Sequence, residues 1–104
     1  MAMIEINAEN IPALIKSDRF ILYLYTPFCG TCQLAKRMLT VVDETLPSTD
    51  LYMANLNYLP GFAEKWEVES VPCLMIFEEG KLQTKQYAFQ SVEFLYNLIL
   101  KDGA

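Results

Sequence analysis

The stretch Arg19 to Tyr25, RFILYLY, constrains the fold more than any other part of the chain. After Arg19 it is aromatic and aliphatic with almost no polar relief, the mark of a strand buried on both faces rather than half-wetted. Such a strand needs helices above and below it, so the chain reads as a layered α/β protein.

The remaining segments supply those layers. MIEIN alternates apolar and polar residues as a short first strand. A helix around Asn10 to Lys16 gathers Ile11, Leu14 and Ile15 on one face. From Gly30, Ala35, Leu39, Val42 and Leu46 recur at helical spacing, with Lys36, Arg37, Asp43 and Glu44 on other faces, and Pro47 stops the helix. LYMANL reads as a strand and PGFAEKW as a turn leading into a short helix. CLMIF, EEGK and LQTKQYAF form a strand, a hairpin turn and a returning edge strand. Ser91 starts a terminal helix with Val92, Leu95 and Leu98 or Ile99 inward. The order β-α-β-α-β-α-β-β-α implies a three-layer α/β/α sandwich, with parallel strands joined by a late antiparallel hairpin into one mixed sheet. No repeat or linker divides residues 1–104, so a single domain is expected.

At 104 residues and 53% hydrophobic, the chain can build one core without staples. Asp plus Glu outnumber Lys plus Arg by 13 to 8, and the basic residues are scattered, which argues against nucleic-acid binding. The run Phe20 to Tyr25 is far shorter than the ~20 residues of a membrane span, so no membrane partner is expected. The N-terminus has neither a basic region nor a long apolar run, and the three cysteines are too few for a disulfide scaffold. These features lead us to expect a soluble protein of the cytoplasm.

Two of the three cysteines stand in FCGTC, directly after the buried strand and at the start of a helix. The first turn of a helix presents unpaired N–H groups and partial positive charge, and both favour a thiolate at Cys29. Cys32 lies one turn further in, where its thiol can attack a mixed disulfide formed at Cys29, and Gly30 permits the tight entry. Structural zinc wants four Cys or His ligands, and the chain has no His and one further Cys, so a redox dithiol outranks a single-chain metal site. A metal or iron–sulfur cluster shared between two chains is the alternative left open.

The strand, then PFCGTC, then a long helix, and later SVPC resemble the thioredoxin family over most of the chain, from about Ile4 to Leu100. The resemblance implies a thioredoxin fold and thiol–disulfide oxidoreductase activity with no bound cofactor beyond a redox-active Cys29–Cys32 disulfide. It implies Cys29 as nucleophile and Cys32 as resolving thiol, with Phe28, Gly30, Thr31, Val71 and Pro72 contacting the substrate. Pro72 matches the family's proline, which follows a cis bond and faces the cysteine pair. Lacking an N–H, it interrupts strand pairing and leaves the backbone of Val71 free to meet an extended peptide. The implied partners are disulfide-containing proteins as substrates and a reductase or small thiol as electron donor, served by a monomer.

The chain departs from the family at several positions. Phe28 replaces a Trp as a flat apolar cover, and Thr31 a Pro. Tyr23 stands where a buried Asp helps move the proton of the second cysteine, and Asn55 where its Lys partner stands. Arg37 replaces a helix-kinking Pro, and Tyr87 a Gly near the substrate groove. Slow resolution by Cys32 is the expected consequence, and the missing Asp and Lys favour the rival reading of a non-catalytic interaction module. Cys73, on the opposite strand face from Pro72, and Trp66 read as core residues, with a third redox thiol the alternative left open for Cys73, and Glu64, Glu67 and Glu69 read as a solvated face.

Overall fold

The computed structural model describes residues 3–103. Five strands, β1 (Ile4–Glu5), β2 (Arg19–Tyr25), β3 (Leu51–Asn55), β4 (Cys73–Glu78) and β5 (Lys81–Gln86), form one sheet in the order β1-β3-β2-β4-β5. The helices are α1 (Ile11–Ile15), α2 (Gly30–Thr45), α3 (Pro60–Lys65) and α4 (Val92–Gly103). β1, β3 and β2 run parallel; β4 and β5 are antiparallel to their neighbours. The fold is the mixed α/β/α sandwich expected.

β2 lies at the centre, and its two faces feed two cores. Ile21 and Tyr23 pack with Leu39 and Val42 of α2 and Leu95 and Ile99 of α4. Phe20, Leu22 and Leu24 point the other way, to Ile11 of α1, Leu59, and Met75 and Phe77 of β4. The two-residue period of a strand therefore serves both layers, which is why RFILYLY needs apolar residues at consecutive positions. Each side chain fully removed from water contributes about 1.5–3 kcal/mol, so this strand anchors the fold.

Local signals end the elements. The Ser91 hydroxyl accepts the Phe94 N–H at 3.0 Å and caps α4. Glu79 and Gly80 both have positive φ (52° and 84°), the paired left-handed geometry of a tight hairpin turn between β4 and β5.

The structure differs from the sequence reading in four places. β1 spans only Ile4–Glu5. Leu56 leaves LYMANL to begin a short 3₁₀ turn, Leu56–Tyr58. β5 ends at Gln86, so Tyr87 and Phe89 lie beyond the edge strand. Asp43, expected on a wetted face of α2, is only 5% exposed, because the buried stripe of this helix is wider than its apolar residues mark.

Candidate active site

β2 delivers the chain to the cysteines and α2 holds them. Cys29 is the N-cap of α2, with extended backbone at φ −133° and ψ 107°. In that conformation its sulfur turns back over the first helical turn and accepts the Cys32 N–H at 3.1 Å. This is the role a Ser or Asp oxygen plays at other helix starts, here filled by sulfur. The Thr31 hydroxyl lies 3.4 Å from the same sulfur. Two donors and the helix N-terminus therefore converge on Cys29, the arrangement that stabilises a thiolate.

Cys29 and Cys32 are joined by a disulfide, with Cα atoms 5.2 Å apart. Cys32 is buried, at 3% exposure, whereas Cys29 is partly open to solvent. Cys29 is therefore the more accessible of the two sulfurs. Phe28 is fully exposed, so its ring covers no part of the free protein, contrary to the flat cover expected of it. Gly30 and Thr31 are also exposed, and a Cβ at Gly30 would meet nothing within 4 Å.

The antiparallel register places Leu24 opposite Cys73. The residues after β2 and those before β4 therefore leave the sheet at the same end, which brings the Val71–Pro72 segment to the cysteine end of the molecule. The Val71–Pro72 bond is cis, and both residues are half-buried. Cys73 is completely buried among Leu24, Met75 and their neighbours, and burial pushes its thiol pKa up to about 12. It packs as a neutral core residue, apart from the exposed redox chemistry.

Three residues behave in ways no periodicity reveals. Tyr23 donates its hydroxyl to the Cys32 carbonyl oxygen at 2.6 Å, and burial raises its pKa further from neutrality. Lys85 donates to the carbonyls of Trp66 and Glu67, at 3.1 and 2.9 Å, while the Tyr87 hydroxyl accepts the Glu69 N–H at 3.1 Å. Lys85 and Tyr87 together fasten the segment that leads to Val71 and Pro72, in which Glu67 adopts a left-handed φ of 53°. The only signal for Lys85 in the sequence is its place in an alternating edge strand. Asn55 does not stand in for a charged lysine, since its side chain accepts the Asn57 N–H at 2.9 Å and caps the 3₁₀ turn.

Among the described residues no group of three or more His, Cys, Asp or Glu is placed to hold a metal ion. No helix among them is long and apolar enough to cross a membrane.

Comparison with known proteins agrees with this geometry. The family model described as Thioredoxin matches residues 2–101. The thioredoxin-like protein YusE of Bacillus subtilis (strain 168) is 56% identical over 85 residues, covering 82% of this chain and 80% of that protein. Thioredoxin of Chlamydia pneumoniae is 29% identical over 96 residues, covering 92% of this chain and 94% of its own length. Among solved structures, a mutant thioredoxin from Halobacterium salinarum NRC-1 superposes with a TM-score of 0.82 at 18% identity, over 96% of this chain and 89% of that one. With a dithiol–disulfide pair at the start of α2, a proline before β4 and the family match spanning nearly its whole length, this chain belongs to the thioredoxin family.

Proposed function

We propose that the protein exchanges disulfides in other proteins through Cys29 and Cys32, with Cys29 as nucleophile. The observation that carries this assignment is the asymmetry of the pair: Cys29 is accessible and receives the Cys32 N–H, while Cys32 is buried behind it.

In the reductive direction the Cys29 thiolate attacks one sulfur of a substrate disulfide. The new bond joins Cys29 to that sulfur, and the other substrate sulfur departs as a thiolate that takes a proton. Cys32 then loses its proton and attacks the Cys29 sulfur. The Cys29–substrate bond breaks, the second substrate thiol leaves, and the internal disulfide forms. Two electrons pass from the pair to the substrate, and a reductase or small thiol returns them. Phe28, Gly30, Thr31, Val71 and Pro72 form the substrate-contacting rim, with the exposed ring of Phe28 acquiring a partner when a peptide docks. The protein works as a monomer, in the cytoplasm.

Insulin-disulfide reduction with a dithiol reductant tests the assignment. Cys29→Ser should reduce the rate to background. Cys32→Ser should accumulate mixed disulfides with substrate that a thiol reductant releases. Full multiple-turnover activity of Cys32→Ser would overturn the division of roles between the two thiols.

A further inference from the structure

Away from the cysteines, α1 and α3 flank an open apolar cavity of about 570 Å³. Its walls include Ile11, Pro12, Ile15, Leu59, Phe62 and Trp66. We propose that this cavity is a binding site for a single-chain amphiphilic carboxylate, of the fatty-acid class.

Three observations carry the proposal. The first is size: small-molecule sites are typically concave, mostly apolar and roughly 300–1,000 Å³, and this cavity falls within that range. The second is charge. The chain carries 13 acidic and 8 basic residues, yet the charged residues lining the cavity are Lys16 and Lys65, and no Asp or Glu among the described residues lines it. On an acidic protein, an open apolar cavity with two lysines in its lining selects an apolar ligand with an anionic end. The aliphatic tail would bury against the walls, and the carboxylate would meet the lysines in charge-assisted hydrogen bonds. The third is the open rim. Tyr58, which also lines the cavity, is 75% exposed, a large apolar surface that an occupant would cover. None of Cys29, Cys32, Val71 and Pro72 lines the cavity, so the site is separate from the redox centre.

Trp66 is the only tryptophan in the chain and stands in the cavity wall, with the Lys65 ammonium 5.4 Å from its ring centroid. Its fluorescence therefore reports occupancy directly. The experiment titrates the oxidised protein with sodium decanoate below its micelle concentration, following Trp66 emission and, independently, heat by calorimetry. We expect saturable binding at one site.

Gly61→Leu tests the location. A Cβ at Gly61 meets nothing within 4 Å, so the new side chain enters empty space at the cavity wall, and affinity should fall more than tenfold while insulin reduction is unchanged. The double variant Lys16→Gln/Lys65→Gln tests the charge: affinity for decanoate should fall at least fivefold, and that for decanol should not. Amide ¹H–¹⁵N spectra of the wild-type protein give the location without any variant, with decanoate-induced shifts confined to residues 8–16, 58–66 and the turn at Gly80. A non-saturating response, shifts centred elsewhere, undiminished binding to a folded Gly61→Leu protein, or equal losses for decanoate and decanol in the lysine variant would each overturn the proposal.

Discussion

The hydroxyl of Tyr23 donates to the carbonyl oxygen of Cys32 at 2.6 Å, inside the core and directly beneath the redox pair. Tyr23 occupies the position at which the resemblance to thioredoxins leads one to expect a buried acid. It holds the first turn of α2 in place. With its pKa raised by burial, it does not take up the proton of Cys32 near neutral pH.

Tyr23→Phe should therefore cost stability and leave the chemistry nearly intact. Losing one hydrogen bond to a helix carbonyl costs about 0.5–1.5 kcal/mol, and the insulin-reduction rate should change less than twofold. Tyr23→Asp should do the reverse. It buries a carboxylate at a cost of roughly 2 kcal/mol or more but supplies a proton acceptor near Cys32, so single-turnover resolution of a mixed disulfide should accelerate. Unchanged resolution in a folded Tyr23→Asp protein would show that proton removal from Cys32 does not limit the step.

The donors around Cys29 should raise the redox potential of the pair. The Thr31 hydroxyl lies 3.4 Å from the Cys29 sulfur, and Thr31 contributes an N–H to the helix start that a proline would lack. Both stabilise the thiolate, and a stabilised reduced form makes the pair more oxidising. The expected potential lies roughly between −270 and −200 mV, measured by equilibration against glutathione. Thr31→Val should lower it. A wild-type value well below this interval would count against the role of these donors.

Cys73 should be inert to thiol reagents in the folded protein. Its pKa, about 12, keeps it protonated at pH 8, and it is fully buried, so iodoacetamide should label it only after unfolding. In the unfolded chain a cysteine ionises near pH 8.5, at about its unperturbed value. Above that pH the unfolded state holds fewer protons than the folded state, so this group makes stability fall as pH rises from about 8.5 toward 12. Denaturant midpoints across this range should fall less steeply for Cys73→Ala, and redox turnover of that variant should stay near wild type.

Asp43 is a charge buried without full compensation. One of its carboxylate oxygens has no hydrogen-bond partner among the described residues, and desolvation raises its pKa, with Glu44 and Asp50 adding in the same direction. A carboxyl whose folded pKa is raised destabilises the fold as pH climbs through the unfolded value toward the folded one. Asp43→Asn should remove that penalty and raise stability at pH 7. The gain should shrink as the pH is lowered toward 4. Calorimetric scans at both pH values check it, and a loss of stability at pH 7 would show that the carboxylate is satisfied in solution.

The layered fold and the redox pair are legible in the sequence, because both rest on local physics. A strand that is apolar at consecutive positions must be sandwiched, helical spacing marks the buried stripe of α2, and two cysteines one turn apart at a strand–helix junction acquire their chemistry from the helix start itself. The tertiary structure decides what faces what across the sheet. The register of β2 on β4 sets Leu24 against Cys73 and so carries Val71 and Pro72 to the cysteine end. The packing of α2 on the sheet lets the Tyr23 hydroxyl reach Cys32, and the course of the chain beyond α3 brings the Trp66 and Glu67 carbonyls to Lys85. Asp43 departs from its expected wetted face for the same reason. Periodicity gives the direction of a side chain around a helix axis but not the width of the surface its neighbours cover, and only the packed structure fixes that width.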